Sequence, residues 1–192
     1  MGISLSKGGN INLSKEAPGL SKIRVGLGWD PLQTSGEAYD LDASVVLFDD
    51  ARHARNEGDF IFYNNLTTPN GSVKHLGDNR TGDGDGDDET ILVDLDLVDA
   101  DVKGLVFIVS IDQADARGQN FGGVNGAYIH LYDDATGVEV VSYDLTEDAS
   151  LDTSLIFAEL YRNGSDWKFK AVGQGFNNGL EGVINTFELK VG

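Results

Sequence analysis

Hydrophobic and polar residues alternate along much of this chain, in short runs that are separated by Gly, Asn and Asp. In the run TILVDLDL (90–97), apolar residues occupy every second position from Ile91 to Leu97, and Leu92 and two aspartates lie on the opposite face. The run GLVFIVSI (104–111) is apolar on both faces, which is typical of a strand at the centre of a sheet. Alternation and turn residues together predict strands at 11–13, 22–29, 40–48, 59–64, 72–76, 90–97, 104–111, 127–132, 137–145 and 166–172.

Two segments in the C-terminal quarter of the chain carry other patterns. The segment TEDASLDTSLIFAELYR (146–162) begins like a helix cap, but its second half, SLIFAELYR (154–162), could equally be an apolar strand. The segment NNGLEGVINTFEL (177–189) is the best candidate for a short helix. So many short strands leave little room for βαβ crossovers, which predicts a mainly β fold. We expect an antiparallel two-sheet β-sandwich with one or two short helices, the clearest near the C-terminus. With no internal repeat or linker, residues 1–192 are interpreted as a single domain.

The composition is that of a globular protein, but the charge is unusual. Among 192 residues, 14 are Lys or Arg and 32 are Asp or Glu, which gives a formal net charge of −18. A surface this acidic repels phosphate groups, so nucleic acids and anionic membrane surfaces are disfavoured, whereas small cations and basic proteins are favoured. The absence of cysteine removes disulfides, thiolate metal sites and thiol redox chemistry. No segment reads as a signal peptide or a membrane span, so we predict a cytoplasmic protein that does not insert into a membrane.

Motifs for catalysis or cofactor binding are absent or incomplete. The segment VGQGFNNG (172–179) departs from the G-x-G-x-x-G spacing of dinucleotide-binding proteins, and we interpret it as a glycine-rich turn before the terminal helix. The three histidines, His53, His75 and His130, are scattered, and we expect surface or turn positions for them. No serine lies in a recognisable nucleophile elbow. The sequence therefore identifies no catalytic residue.

One loop, GDNRTGDGDGDDE (77–89), concentrates negative charge in flexible backbone. Neighbouring carboxylates repel one another, and Ca²⁺, which takes roughly six to eight oxygen ligands in irregular geometry, would relieve that repulsion. Hard oxygen donors favour calcium or magnesium over zinc or copper, and the many donors of this loop favour calcium. An EF-hand does not fit, because Asp88 stands where that loop needs Gly and Asp94 where it needs Glu. The candidate ligands of this acidic loop are Asp78, Asp83, Asp85, Asp87, Asp88 and Glu89, with the amide of Asn79.

A second set of oxygen donors lies at predicted strand ends. In YDLDAS, Asp40 and Asp42 are two residues apart and therefore point from the same face of a strand. Asn64 and Asn65 end another strand, and Asp30 ends a third. Strand ends converge at the rim of a sandwich, so we expect these groups to meet the acidic loop there, with Asp40, Asp42 and Asn65 among the metal ligands. The alternative is that the acidic loop is only solvated, as isolated charge runs usually are.

The same segments resemble a known family. The chain contains, in order, GGNINLSK, VGLGWD, DLDAS, FIFYNNLT, GDNRTGDGDGDDE, YDLTEDAS and ELYRNGSDWKFKAVGQGF. It is similar, essentially end to end, to the TerD family of tellurium-resistance and bacterial stress proteins. The resemblance implies a calcium-binding β-sandwich in the cytoplasm, acting in complexes that include a membrane-embedded partner. It also implies roles for Asp40 and Asp42 in DLDAS, and for Asp78, Asn79, Gly82 and residues 83–89 in the acidic loop.

The residues themselves limit what the function can be. Tellurite is an oxyanion, which so acidic a protein repels, and the chain has no thiol to reduce it, so direct detoxification is disfavoured. We expect a non-enzymatic protein of the tellurite-resistance and general stress response that binds two or more Ca²⁺ ions, which shape a surface for protein partners. The alternative is a metal-dependent phosphoesterase-type enzyme that uses the same acidic residues. Gln113 stands where family members tend to have Asp, which leaves the role of its segment open.

Overall fold

The computed structural model describes residues 2–31, 36–77, 86–145 and 151–190, and this part of the chain forms two six-stranded sheets with three short helices. The strands are β1 (Ile3–Leu5), β2 (Asn10–Asn12), β3 (Lys22–Pro31), β4 (Leu41–Phe48), β5 (Phe60–Ile61), β6 (Val73–His75), β7 (Glu89–Asp94), β8 (Gly104–Ile111), β9 (Val124–Asp133), β10 (Glu139–Asp144), β11 (Ser154–Asn163) and β12 (Asp166–Phe176). The helices are α1 (Leu13–Glu16), α2 (Ala114–Arg117) and α3 (Gly179–Asn185), and single 3₁₀ turns cover Glu57–Asp59 and Phe121–Gly123. The longest of these helices, α3, has seven residues, so no described helix could cross a bilayer.

The strands belong to two sheets that pack face to face. Sheet A has the order β1-β10-β9-β3-β7-β6, and sheet B has the order β2-β12-β11-β8-β4-β5. Every paired strand runs antiparallel to its neighbour except β1, which pairs with β10 in parallel. The predicted mainly β, two-sheet fold is confirmed, with one parallel edge strand added.

The main core lies between the inner faces of the two sheets. Alternate residues of the central strands point into it, as in β3, where Ile23, Val25 and Leu27 are completely buried. Burying one such side chain stabilises the fold by about 1.5–3 kcal/mol, so the alternating runs account for much of the driving force. Because the inner positions are apolar, a polar side chain that points inward at the rim needs a specific partner.

A second apolar layer lies on the outer face of sheet B. Helix α3 and the residues after it cover this face, and Phe187 stacks on Phe48 with the ring centroids 5.8 Å apart. Ser154 of β11 donates a hydrogen bond to the carbonyl of Gly179 at 2.8 Å, which fixes the start of α3 on the sheet. The C-terminal helix predicted from the sequence is confirmed.

The structure corrects several predicted strand limits. The strand predicted at 59–64 shortens to β5, because the chain turns back at Phe62 and Asn65, which bridge each other. The segment 172–179 was predicted to be a glycine-rich turn before the terminal helix. Most of it is strand instead, since β12 continues to Phe176 and pairs with β11. The ambiguous segment 154–162 is strand β11.

Candidate functional site

The predicted ligands occupy three places in the fold. Asp40 and Asp42 lie at the start of β4, Asn65 lies in the turn after β5, and Asp87, Asp88 and Glu89 lead into β7. The remaining predicted ligands lie outside the described residues: Asp78, Asn79, Gly82, Asp83 and Asp85.

Glu89, the last residue of the acidic loop, connects sheet A to strand β4 of sheet B. It is the first residue of β7, and its side chain is buried between the sheets, with only 1% of the residue exposed. Its Oε2 accepts a hydrogen bond from the backbone N–H of Ala43 at 2.6 Å. The Nε2 atom of His75, on the neighbouring strand β6, lies 3.2 Å from the same Oε2 and 3.1 Å from the carbonyl oxygen of Ala43. Both backbone groups of Ala43 are therefore bonded by side chains of sheet A.

The side chains of Glu89 and His75 make the hydrogen bonds to Ala43 that a neighbouring strand would otherwise make. Strand β5 pairs only with Val45 and Val46, so it does not reach Ala43 at the start of β4. Buried backbone N–H and C=O groups need hydrogen-bond partners, and Glu89 and His75 supply one each. We call this arrangement the rim lock.

The hydrogen bonds of His75 also fix its protonation. Its Nδ1 accepts a hydrogen bond from the N–H of Gly77 at 3.1 Å, which requires a lone pair on that nitrogen. The ring proton is therefore assigned to Nε2, which donates toward Glu89 and Ala43. The expected surface or turn position for this histidine is wrong, because His75 is only 4% exposed.

Asp88 is hydrogen-bonded to the backbone of β3. Its N–H donates to the carbonyl of Leu27 at 2.8 Å, and its Oδ2 accepts from the N–H of Trp29 at 2.8 Å. Burial raises the pKa of Asp88, the bond from Trp29 opposes that rise, and the negative charges of Asp30 and Asp87 add to it. The charges of Asp30 and Asp87 therefore reach Asp88 and disfavour its ionised form.

An aromatic row runs along the outer face of sheet A. It consists of Tyr128, His130 and Tyr132, at alternate positions of β9. The ring centroids of Tyr128 and His130 are 4.5 Å apart, and those of His130 and Tyr132 are 6.0 Å apart. The guanidinium of Arg24 lies 4.4 Å from the centre of the Tyr132 ring, a cation–π distance.

The aromatic row contacts the end of the acidic loop. The hydroxyl of Tyr128 donates to the carbonyl of Gly86 at 2.9 Å. Burial raises the pKa of Tyr128 most, and the neighbouring carboxylate of Asp87 raises it further, so the hydroxyl keeps its proton. Arg24 lies 3.8 Å from the carboxylate of Asp87. Sequence reasoning missed these residues, although the alternation of aromatic residues in AYIHLY was a visible signal.

Asp42 faces a different space from Glu89. Its neighbour Ala43 points into the core, so Asp42 points outward, into a cavity of about 380 Å³. Tyr63, Ser110 and Asp112 also line this cavity. Asp40 precedes β4, and its carbonyl accepts from the N–H of Asp112 at 2.7 Å.

Asn65 is occupied within its own turn. Its side-chain Nδ2 donates to the carbonyl of Phe60 at 2.7 Å, and its backbone bridges Phe62. Across the described ranges, no three acidic or histidine side chains lie close enough together to hold a metal ion.

Comparison with known proteins places the chain in a family. A profile of the TerD domain matches residues 1–187. The chain is 54% identical over 189 residues to the tellurium resistance protein TerD of Serratia marcescens, covering 98% of each. It is 47% identical over 193 residues to general stress protein 16U of Bacillus subtilis (strain 168), covering all of both. A crystal structure of a homologue of telluride resistance protein (TerD) from Streptomyces coelicolor A3(2) superposes with a TM-score of 0.69 at 25% identity, over 84% of this chain and 94% of that one. The chain therefore belongs to the TerD family of tellurium-resistance and stress-response proteins.

Proposed function

We propose that this protein binds Ca²⁺ through the acidic loop and the strand ends beside it, without catalysing a reaction. The observation that carries the proposal is the position of Asp88, a partly buried carboxylate held by backbone groups of β3 next to Asp30 and Asp87. Burial, with the negative charges of Asp30 and Asp87 added to it, raises the pKa of Asp88, and a divalent cation at this rim would favour the ionised carboxylate again.

The donor chemistry supports calcium over other metals. The described part of the acidic loop offers carboxylates and backbone carbonyls, and the chain has no cysteine to bind a soft metal. Calcium accepts many oxygen ligands in irregular geometry, which suits a loop rich in glycine better than the strict octahedron of magnesium. Two or more ions would be accommodated if Asp40 and Asp42 contribute a second set of donors.

We further propose that the bound ions shape a surface for protein partners of a stress-response complex, membrane-associated ones included. The relatives named above carry names for tellurium resistance and general stress. A chain with a net charge of −18 and no thiol is poorly suited to bind or reduce an oxyanion itself. A role through ions and partner proteins fits these residues better.

Calorimetric titration of calcium into chelator-treated protein tests the proposal. We expect heat of binding, and a higher melting temperature, because a ligand that binds only the folded state stabilises it. At a free calcium concentration of about 100 times Kd the gain is about 2.7 kcal/mol, or roughly 5–10 °C for a chain of this size.

Two variants locate the site. Asp87→Asn with Asp88→Asn is expected to weaken binding at least tenfold, and Asp40→Asn with Asp42→Asn to weaken at least one site. The control is Asp50→Asn. Asp50 is exposed and forms a surface ion pair with Lys103 at 3.7 Å, so its replacement should leave calcium binding unchanged. The proposal would be contradicted if millimolar calcium produced no heat of binding and no shift in melting temperature.

A further inference from the structure

The cavity of about 380 Å³ that Asp42 faces lies on the outer face of sheet B, and we call it the outer cavity. Its walls are the segment from the end of β8 through α2, the start of α3 and the turn after β5. No Lys, Arg or His side chain is among the described residues that line it, and four carboxylates are: Asp42, Asp112, Asp115 and Glu181. The outer cavity is therefore suited to a cationic ligand and not to an anionic one.

The carboxylates of the outer cavity differ in how far they are already paired. The guanidinium of Arg117 lies 3.5 Å from Asp112, and the side-chain amide of Gln113 donates to the same carboxylate at 3.1 Å. Asp115 and Glu181 are exposed, and neither forms an ion pair within the part of the chain that the structure describes. At least two negative charges of the lining are therefore available to a ligand.

A buried hydroxyl in the outer cavity points to a ligand independently of the charge. Ser110 lies on the outer face of β8, in phase with Ile108 of the second apolar layer, and lines the cavity although it is only 5% exposed. Its partner on β11, Ser154, bonds the carbonyl of Gly179, but no described group bonds the hydroxyl of Ser110. Buried hydroxyls normally have a hydrogen-bond partner, and a donor that enters the cavity would supply one.

An exposed aromatic ring belongs to the same lining. Tyr63 is 51% exposed, and edge-to-face packing against Phe62, with the ring centroids 5.2 Å apart, holds its ring in place. The face of such a ring attracts cations, guanidinium groups more often than ammonium groups. An arginine side chain can donate several hydrogen bonds in its own plane while that plane stacks on a ring. Its chemistry therefore matches the carboxylates, the hydroxyl and the ring together.

We propose that the outer cavity binds an arginine side chain of a protein partner. The carboxylates of Asp115 and Glu181 attract the guanidinium. The hydroxyl of Ser110 accepts one of its hydrogen bonds, and the ring of Tyr63 stacks on it. A polypeptide is favoured over a free polyamine because Leu66, 45% exposed in the same turn as Tyr63, adds apolar surface for the rest of a partner chain. The proposal concerns a surface other than the acidic loop and does not rest on calcium binding.

The test titrates the ¹⁵N-labelled full chain with a short peptide, blocked at both ends, that carries one arginine between leucines. Chelator is present throughout, because Asp42 is also a proposed calcium ligand. We expect saturable shifts of backbone amide resonances that are confined to 110–116, 178–181 and the turn after β5. The same peptide with citrulline, an uncharged analogue of arginine, is expected to bind about tenfold more weakly, because its hydrogen bonds to carboxylates lack the charge.

Variants of the chain locate the binding. Asp115→Asn with Glu181→Gln is expected to weaken peptide binding about tenfold. The matched control is Asp50→Asn with Glu57→Gln, which removes the same charge from exposed residues that do not line the cavity and should change the affinity less than about twofold. Ser110→Ala is expected to weaken binding about fivefold without lowering the melting temperature, because the hydroxyl has no described partner to lose.

Three results would overturn the proposal. The first is the absence of peptide-induced shifts at the outer cavity, and the second is equal binding of the arginine and citrulline peptides. The third is binding of spermidine but not of the arginine peptide, since the cavity would then take a free polyamine. None of these results bears on calcium binding, which is measured separately by calorimetry.

Discussion

Replacement of His75 by Ala is expected to destabilise the protein strongly, because it opens the rim lock. The variant removes the donor for the carbonyl of Ala43 and one donor for the Oε2 of Glu89. Glu89 stays between the sheets, where its carboxylate is costly to bury without that donor.

The size of the effect follows from the burial of the pair. The side chains of His75 and Glu89 are 1% and 0% exposed, so solvent cannot replace the lost donor. Loss of the donor to a buried carbonyl costs about 1–3 kcal/mol and loss of the donor to a buried carboxylate costs more, so the two together cost about 3–5 kcal/mol. For a chain of this length that corresponds to a melting temperature lower by roughly 6–20 °C.

The chain offers a matched control for this experiment. His53 also lies next to a glutamate, Glu188, at 3.4 Å, but these side chains are 41% and 68% exposed. His53→Ala is therefore expected to change the free energy of unfolding by no more than about 0.5 kcal/mol. His75→Gln, which keeps a side-chain N–H donor, is expected to recover part of the loss.

Urea unfolding followed by tryptophan fluorescence, in the presence of chelator, measures these differences without a contribution from calcium. Trp29 and Trp167 are both buried, so their emission reports the loss of the core. The free energies of unfolding of His75→Ala and His53→Ala are compared. If they differed by less than about 1 kcal/mol, the reasoning that His75 and Glu89 replace a strand beside Ala43 would be refuted.

Two further substitutions test other buried contacts. Arg55→Ala removes the guanidinium that bonds the buried Asp59 at 2.7 and 2.8 Å, and is expected to cost about 3–5 kcal/mol by urea unfolding. Adding Asp59→Asn should recover part of that loss, and no recovery would argue against a charge effect. Phe187→Ala removes a ring that stacks on Phe48 and is expected to cost about 3–5 kcal/mol, measured as a lower melting temperature. Leu97 is 49% exposed, so Leu97→Ala is the control. If Phe187→Ala lowered the melting temperature as little as Leu97→Ala does, the apolar layer formed by α3 and the residues after it would not be a second core.

Alternation of residues predicted most strands because the inner face of each strand is apolar. The run 104–111 is strand β8 to the residue, buried on both faces as expected for a central strand. The prediction failed where a local contact overrides the pattern. At 59–64, the side chain of Asn65 bonds back to Phe60 and closes a turn inside the apolar run. At the other end of the chain, β12 continues through its glycines because β11 pairs with it from Ser154 onward, a contact distant in sequence.

The candidate site was predictable in its chemistry but not in its geometry. The density of carboxylates and glycines identified the acidic loop, since composition alone indicates hard donors. The rim lock depends on the pairing of β6 with β7 and on their packing against β4, which no local pattern specifies. A signal was present nonetheless: His75 and Glu89 occupy inward positions of their strands, in phase with Val73 and Ile91.

The parallel strand β1 has a consequence for the order in which the fold assembles and opens. Ile3 pairs with Val141 in sheet A, and soon afterwards Ile11 pairs with Phe169 in sheet B, so the first twelve residues join both sheets through contacts very distant in sequence. Closing such long loops is entropically costly, and short edge strands exchange their amide hydrogens by small local openings. The N-terminal segment should therefore dock late in folding, after the central strands have paired, and release first when the protein begins to unfold.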